Sequence, residues 1–383
     1  MRKNFILLLL LLLFFLVLGG YFLIRTSNNE SVILKADIAP VENFIAQSAK
    51  EVQDPQAGNS NYKDAKIDTH GTLADICRDA NNFACYQAHY ENLVKNKSIQ
   101  AAFADLRIRY KQDMYVVAQC HPLTHVIGNE AVEKFNSVGE AYTQGDSFCW
   151  SGYYHGVMEK IVFKIGGENL LSKINDICAD IQSKTSYSFD YYNCVHGLGH
   201  GIMALNNNEL FDSLKQCDSL SGDWEKSACH GGVFMENIIV DNKDHFTKYL
   251  KAGDPVYPCN AVDQAYKNVC YLMQTSYMLK VTGGDFAKVF SICEQADAGY
   301  SNICYQSLGR DASGRTTSDY FRTKDICGLG KNFDQRSNCI IGAVKDFISY
   351  FHSDQQAKFF CNSLSAELQQ LCTDTAIAYY ASF

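Results

Sequence analysis

Residues 284–304 read G-D-F-A-K-V-F-S-I-C-E-Q-A-D-A-G-Y-S-N-I-C, and this segment contains the pattern that predicts the fold. Apolar residues recur at helical spacing up to Cys293, residues 296–299 have the composition of a turn, and helical spacing resumes at Tyr300. Cys293 therefore ends one helix, and Cys304 lies in the opening turns of the next. Antiparallel helices bring such positions within the Cα separation that a disulfide requires, so the segment predicts a helical hairpin closed by a disulfide.

Cysteine pairs with this spacing recur through the C-terminal part of the chain. The two members of each pair are eleven or twelve residues apart, and the first members of the last four pairs follow one another at steps of 34 residues. A fixed step of this size is typical of stacked helical hairpins. We therefore predict an all-α fold, a right-handed α-solenoid of disulfide-stapled helical hairpins. The predicted pairs are Cys217–Cys229, Cys259–Cys270, Cys293–Cys304, Cys327–Cys339 and Cys361–Cys372.

The cysteine spacing is looser in the N-terminal part of the chain, where the separations include eight and sixteen residues. The pairs predicted there are Cys77–Cys85, Cys178–Cys194 and, by elimination, Cys120–Cys149. Long helical patterns over about residues 99–118 and after Asn129 fit the same all-helical plan. Pro122 is a favourable first residue of a helix, so Cys120 could instead end the preceding helix.

The 34-residue, two-helix period with a disulfide inside each repeat resembles the tetratricopeptide and Sel1-like repeat proteins, especially their cysteine-stapled secreted versions. The resemblance covers about residues 178–383 and is one of architecture. The Trp, Leu-Gly and Tyr signature of tetratricopeptide units is missing, and the histidine-bearing strings described below match no family. The resemblance therefore implies a helical-repeat fold and carries no activity with it.

An uncharged run of twenty residues, from Phe5 to Ile24, follows Arg2 and Lys3. That length suits one transmembrane helix, and the preceding basic residues predict a cytoplasmic N-terminus with the rest of the chain on the extracytoplasmic side. A cleaved signal peptide is the alternative. We expect residues 1–25 to be the membrane anchor or signal and residues 26–70 to be a polar linker. The disulfide-rich helical domain is expected over residues 71–383, with a His/Glu-bearing half at 71–240 and the regular repeats at 241–383.

Composition agrees with an exported protein. All sixteen cysteines lie between residues 77 and 372, and disulfides persist in oxidising compartments. The net charge is −8, with no basic run beyond the N-terminus, which argues against a nucleic-acid partner. The membrane, through the N-terminal helix, is the expected partner. No phosphate-binding loop, dinucleotide fingerprint or serine-hydrolase spacing is present.

Four histidine-bearing strings each begin at a cysteine. They are C-H-P-L-T-H from Cys120, C-W-S-G-Y-Y-H-G-V-M-E from Cys149, C-V-H-G-L-G-H-G-I-M from Cys194 and C-H-G-G-V-F-M-E from Cys229. Side chains four residues apart share one face of a helix, as in the pair His196 and His200. If the strings lie at one level of stacked helices, six histidines and two glutamates converge: His121, His125, His155, His196, His200, His230, Glu159 and Glu236.

This set of side chains predicts a metal centre. Cysteines are excluded as ligands if all are paired, and the remaining imidazoles and carboxylates suit a divalent Zn, Fe, Cu or Mn ion. The expected ligands are His125, His155, His196 and His200. The two histidines that directly follow a cysteine, His121 and His230, are expected to lie behind them or to bind a second ion. Glu159 and Glu236 are candidate ligands or general bases, for a metal-dependent hydrolysis or oxidation.

The rival interpretation is a non-enzymatic scaffold that binds a peptide or protein in the groove of the solenoid. Each histidine taken alone is better explained by capping or tight packing, but no such string accompanies the last four cysteine pairs. Arg310 stands at the register of His155 and His200, so it either faces the same groove or forms a salt bridge. The histidines outside the pattern, expected at the surface or in structural roles, are His70, His89, His245 and His352.

Overall fold

The computed structural model describes residue 77 and residues 82–135, 137–149, 151–181, 188–238, 247–316 and 319–382. These residues form seventeen α-helices, and no β-strand occurs among them. The predicted all-α fold is confirmed for this part of the chain. The predicted membrane anchor, the polar linker, His70 and His245 lie outside the described residues. No helix within the described ranges is long and apolar enough to cross a membrane.

The helices follow one another with short connections. In the first half they are α1 Phe83–Asn96, α2 Ile99–Tyr110, α3 Met114–Ala131, α4 Val138–Tyr142, α5 Gly152–Ile165, α6 Gly167–Lys173, α7 Phe189–Leu205, α8 Leu210–Cys217 and α9 Asp223–Ile238. In the second half they are α10 Gln264–Met273, α11 Thr275–Val281, α12 Phe286–Cys293, α13 Ser301–Thr316, α14 Tyr320–Gly328, α15 Phe333–Phe351, α16 Gln355–Asn362 and α17 Ala366–Tyr380.

Disulfides staple the hairpins, and all eight predicted pairs are present, including the pair Cys120–Cys149 that rested on elimination. Their Cα–Cα separations run from 5.3 to 6.0 Å, within the range that disulfides require. In the hairpin of α12 and α13, Cys293 ends the first helix and Cys304 lies in the first turn of the second, as the sequence predicted. Eight disulfides indicate an extracytoplasmic or secreted domain.

The longer, second helix of each hairpin packs against the second helix of the next. The succession runs α3, α5, α7, α9, α10, α13, α15 and α17, with shorter helices such as α8, α12, α14 and α16 each packed against their own partner. Buried apolar side chains along this row form one continuous core. The row matters for function because it places the histidine-bearing strings on neighbouring helices.

Two expected elements in the first half were wrong. The helical pattern over residues 99–118 is interrupted after Tyr110, because the side chain of Asp113 accepts a hydrogen bond from the Tyr115 amide at 2.9 Å and starts a new helix there. Pro122 consequently lies inside α3 rather than at its start. The long helix expected after Asn129 is absent: α3 ends two residues later at Ala131, and the next helix, α4, has only five residues.

A third departure concerns the hairpin stapled by Cys259. The segment before Cys259 forms turns rather than a first helix, and its partner is the broken pair α10 and α11. Pro255 and Pro258 lie in this segment, and proline removes backbone donors that a helix interior needs. The pair Cys259–Cys270 therefore keeps the usual disulfide spacing although its hairpin lacks a first helix.

Contacts also join hairpins that are far apart in the sequence. Ser147 donates from its hydroxyl to the backbone carbonyl of Tyr350 at 3.1 Å. The ring of His352 stacks on the ring of Phe189, with centroids 4.5 Å apart. The C-terminal end of α15 therefore packs against the segments that flank α5 and α7.

Candidate metal centre

Three consecutive helices of the row, α3, α5 and α7, carry the centre, and glycines let them approach closely. A Cβ atom on Gly128 of α3 would lie 2.0 Å from the carbonyl oxygen of Tyr153 on α5. A Cβ atom on Gly156 of α5 would lie 2.1 Å from the carbonyl oxygen of His125 on α3. Only glycine permits this backbone contact, which explains why helix-weakening residues interrupt the histidine strings.

The first histidine group consists of His121 and His125 on α3 and His155 on α5. The Nε2 atoms of His121 and His125 are 3.1 Å apart. One ligand atom from each of the three rings can be chosen so that all lie within 4.8 Å of one another. Two ligands that are 2.0–2.1 Å from one tetrahedral ion are about 3.3 Å apart, so this group has the spacing of a metal site.

Both α3 histidines have their Nδ1 atoms fixed by acceptors. His121 donates from Nδ1 to the backbone carbonyl of Cys149 at 2.8 Å. His125 Nδ1 lies 3.1 Å from Oε1 of Glu159, one turn beyond His155 on α5. A carbonyl oxygen cannot donate, so Nδ1 of His121 carries the proton and Nε2 presents its lone pair to the facing ring. Acceptors behind the rings in this way are typical of metal-ligating histidines.

The second group consists of His196 and His200 on α7 together with the same His155. The Nε2 atoms of His196 and His200 are 3.3 Å apart, and this group too fits within 4.8 Å. Nδ1 of His200 lies 2.6 Å from Oε2 of Glu236 on α9. The ring of His196 is hydrogen-bonded to the backbone carbonyl of Ala228, which, like Glu236, lies on α9.

His155 is the residue that the two groups share. It is 2 % exposed, and its Nδ1 atom is buried without a hydrogen-bond partner. Its ring stacks on that of His200 with centroids 4.0 Å apart, and lies 5.2 Å from the ring of His121. A buried imidazole nitrogen without a partner is costly, and a metal ion between the two groups of rings could supply that partner.

Burial keeps most of these rings neutral, which is the form that binds metals. Burial, together with the neighbouring His125, lowers the pKa of His121 to about 3, and burial lowers the pKa of His196 to about 4. Burial and the adjacent rings also hold the pKa values of His155 and His200 well below the ordinary value. Four uncharged imidazoles therefore converge at neutral pH, and each can offer one ring nitrogen to a metal.

The two carboxylates have different environments. Burial would lower the pKa of His125, but the charge and hydrogen bond of Glu159 outweigh it and raise that pKa. Glu236 is buried, and burial together with repulsion from Glu159 raises its pKa to about 8. Since burial also disfavours a charged His200, the close Glu236–His200 pair is neutral and shares one proton. A cation on Nε2 of His200 would favour the ionised carboxylate behind it.

Five of the six predicted histidines and both glutamates therefore meet. His230 belongs to neither group: its Nε2 atom lies 3.0 Å from Oδ1 of Asp218, and its ring meets the edge of Tyr266. His89, which the sequence left outside the pattern, pairs with Asp105 at 2.9 Å. Arg310 forms a salt bridge with Asp311 at 3.1 Å, the second of the two alternatives considered for it.

Several contacts of the centre were missed at the sequence level. The carbonyl groups of Cys149 and Ala228 hold ring nitrogens, but a backbone carbonyl leaves no signal in a sequence. Tyr192 places its hydroxyl 3.4 Å from Nδ1 of His196. Because Tyr192 precedes His196 by four residues, helical spacing could have identified it.

Comparison with known proteins gives no identification: no protein-family model, no curated protein and no solved structure matches the chain. Function therefore rests on the site itself. The structure places two triads of histidines, His121–His125–His155 and His155–His196–His200, in positions that could hold a metal ion.

Proposed function

We propose that this chain is an exported, membrane-anchored metalloprotein whose stapled hairpins stack as a right-handed solenoid around a histidine-rich centre. The eight disulfides support export, and the uncharged run from Phe5 to Ile24 supports the anchor. The observation that carries the proposal is the arrangement of the imidazoles. The two Nε2 atoms are 3.1 Å apart in the pair His121 and His125 and 3.3 Å apart in the pair His196 and His200. The Nδ1 atom of each of these rings faces a different neighbouring group.

The donor set selects the class of metal. Every cysteine among the described residues is in a disulfide, so thiolate ligands are excluded there. Imidazole ligands suit divalent Zn, Cu and Fe ions. Both carboxylates, Glu159 and Glu236, already contact the Nδ1 side of a histidine, which places them behind the ligands rather than among them.

The His121–His125 side is where we assign hydrolytic chemistry. His121 and His125 are partly exposed, whereas His196 and His200 are buried, so substrate and water reach the centre from α3. These residues would hold a divalent ion, and such an ion would lower the pKa of a bound water molecule. Glu159 accepts the Nδ1 proton of His125 through Oε1, and its side chain is partly exposed. We assign Glu159 the role of holding His125 with Nε2 toward the ion.

Oxidation is the second candidate, and the contact of Tyr192 with His196 favours it. The hydroxyl of Tyr192 lies 3.4 Å from Nδ1 of His196, so it would adjoin a ligand of any redox-active ion held there. The identity of the metal decides between the two reactions. A centre that requires copper or iron supports oxidation, and one that works with zinc supports hydrolysis.

Elemental analysis of the full-length protein, purified in detergent, tests the proposal. We expect bound Zn, Cu or Fe, a lower melting temperature after chelation, and less bound metal in the His196→Ala/His200→Ala variant than in the wild type. A metal bound only to the native state stabilises it by about 2.7 kcal/mol at a hundred times its Kd. If the wild type is free of metal and indifferent to added ions and chelators, the metal centre is refuted and the peptide-binding scaffold takes its place.

A further inference from the structure

The two pairs of histidines come from helices on opposite sides of α5. His121 and His125 lie one turn apart on α3, and His196 and His200 lie one turn apart on α7. α5 packs against both of these helices. Each pair has the Nε2 separation of two ligands on one tetrahedral ion, about 3.3 Å. The centre is therefore built from two chelating pairs rather than from one ring of ligands.

The candidate ligand atoms also divide into two groups. Within the described residues they form two sets of three, each contained in 4.8 Å, and His155 of α5 is the member common to both. The ring centroids of His125 and His200 are 6.4 Å apart, against 4.7 and 5.1 Å within the two pairs. A single ion with ligands at 2.0–2.1 Å spans at most about 4.2 Å between opposite nitrogens, less than the 4.8 Å that contains each set, so we assign one ion to each set.

Each set has its own carboxylate. Glu159 lies behind His125 at 3.1 Å, and Glu236 lies behind His200 at 2.6 Å. A divalent ion bound only to neutral imidazoles leaves its charge uncompensated in a buried place, and a carboxylate behind one ligand offsets it. One carboxylate for each set agrees with one ion for each set.

We propose that the centre holds two divalent ions, one in each triad, and that the ring of His155 bridges them. A bridging ring uses both nitrogens, which supplies a partner for the buried Nδ1 atom of His155. Two metal–nitrogen bonds form, the N–H bond of the neutral ring breaks, and the proton passes to the solvent. This inference rests on the proposed function as a metal centre and specifies its composition.

The two ions have different surroundings. The side chains of His125 and Glu159 retain 17 % and 18 % exposure, whereas His200 and Glu236 retain 0 % and 5 %. The ion near α3 is therefore the one that can exchange a ligand with a substrate. The ion near α7 is enclosed and holds the shared ring in place.

Titration of the metal-free, full-length protein with Co²⁺ tests the number of ions. We expect the visible absorption of the bound ion to rise until two equivalents have been added. Saturation at one equivalent would overturn the two-ion centre and leave the proposed function standing. No binding of Co²⁺, Zn²⁺ or Cu²⁺ would refute the proposed function itself.

Variants test which residues hold each ion. His121→Ala/His125→Ala and His196→Ala/His200→Ala should each retain one equivalent, and His352→Asn should retain two. His352 is a suitable control because it is outside both triads and has a left-handed backbone, which asparagine tolerates. Loss of both ions from a folded pair variant would contradict the assignment of one ion to each triad.

Electron paramagnetic resonance of the wild type loaded with two equivalents of Cu²⁺ tests the bridge without any substitution. Two ions joined by one imidazole ring should couple, so the signal should integrate to far less than two independent spins. A signal of two full, uncoupled spins would show that His155 does not bridge them.

Discussion

At the residue scale, the pair His200 and Glu236 has a counterpart in the second half of the chain. Arg310 follows Cys304 by six residues, as His200 follows Cys194, and Asp346 follows Cys339 by seven residues, as Glu236 follows Cys229. The charge of Arg310 is near enough to lower the pKa of Asp346. A guanidinium, which carries its own positive charge, therefore occupies the position that His200 has among the histidines.

Asp346→Asn tests how burial affects this counterpart. Burial raises the pKa of Asp346 from 3.8 to about 6, so between those pH values the unfolded carboxyl ionises while the folded one does not. Wild-type stability attributable to Asp346 is thus present below pH 3.8 and is lost as the pH rises to about 6. We expect the stability of the variant, relative to wild type, to increase across that window by at most about 3 kcal/mol.

Chemical denaturation of both proteins at several pH values measures this difference. The control is Asp374→Asn, because Asp374 is exposed and accepts a hydrogen bond from Gln370 at 2.8 Å on the same helix. That substitution should change stability by the same small amount at every pH. A constant difference between wild type and Asp346→Asn would show that Asp346 ionises as freely in the folded protein as in the unfolded one.

Glu236→Gln tests the support behind the ligands. The amide keeps the shape of the side chain but removes the charge beside His200, so metal affinity should fall about 10–100-fold while the fold is retained. Competition with a chelator of known affinity measures the change. Glu133→Gln is the control, since Glu133 pairs only with the exposed Lys160 and Lys164 in the described contacts. An unchanged affinity in Glu236→Gln would show that Glu236 does not act on the metal through His200.

Much of the site could be predicted because helical spacing and counting from the cysteines are both regular. The pairing of His196 with His200 could be predicted from their four-residue spacing alone. His155 could be predicted because it follows its cysteine by six residues, as His200 does. His230 was grouped with them by the same reasoning, yet its ring turns to Asp218. The offset from a cysteine predicts the level of a side chain along a helix but not its partner, which for His230 lies in the connection before α9.

At the scale of helices, reciprocal glycines set the distance between neighbours. A Cβ atom on Gly309 would lie 1.8 Å from the carbonyl oxygen of Cys339, and one on Gly342 would lie 1.8 Å from that of Gln306. Gly199 and Gly232 make the same exchange between α7 and α9. The pair α13 and α15 thus repeats the geometry of the pair α7 and α9.

Gly309→Ala should separate α13 from α15. The added methyl group meets backbone, which cannot rotate away, so we expect a loss of about 1–3 kcal/mol or more in the free energy of unfolding. Gly328→Ala is the matched control: it ends α14, has nothing within 4 Å of its added Cβ atom, and should gain up to about 1 kcal/mol. Thermal unfolding measures both. Equal stability of the two variants would show that the helices shift apart without cost.

The hairpins were predictable because each disulfide closes a short loop whose two ends have their own helical pattern. The error at α3 arose because proline was taken as a start signal. The capping bond of Asp113 starts that helix at Met114, eight residues before Pro122, and Pro122 is accommodated inside it. Whether a helix begins at a capping residue or at a proline depends on how the helix packs. The spacing of apolar residues does not predict that packing.

At the scale of the whole described domain, contacts between distant hairpins could not be predicted. A 34-residue period predicts contacts between neighbouring hairpins only, whereas Ser147 contacts Tyr350 and Phe189 contacts His352. These contacts connect the end of α15 to the chain on either side of the metal centre. In a row of hairpins that contact only their nearest neighbours, a ligand bound at one hairpin stabilises a distant one only through all the hairpins between them.

Hydrogen exchange with and without Zn²⁺ tests whether the distant contacts couple the two halves. A ligand that binds only the native state slows every opening that disrupts its site, and helices that open together share that protection. We expect Zn²⁺ to slow amide exchange in α3, α5 and α7 and also near Tyr350 in α15. Helix α12, which packs against α13, should gain less protection from exchange.

Ser147→Ala removes one of the hydrogen bonds that join the distant hairpins, so the protection of α15 should decrease while that of α7 persists. Protection that ends at α9 in the wild type would show that the two halves open independently.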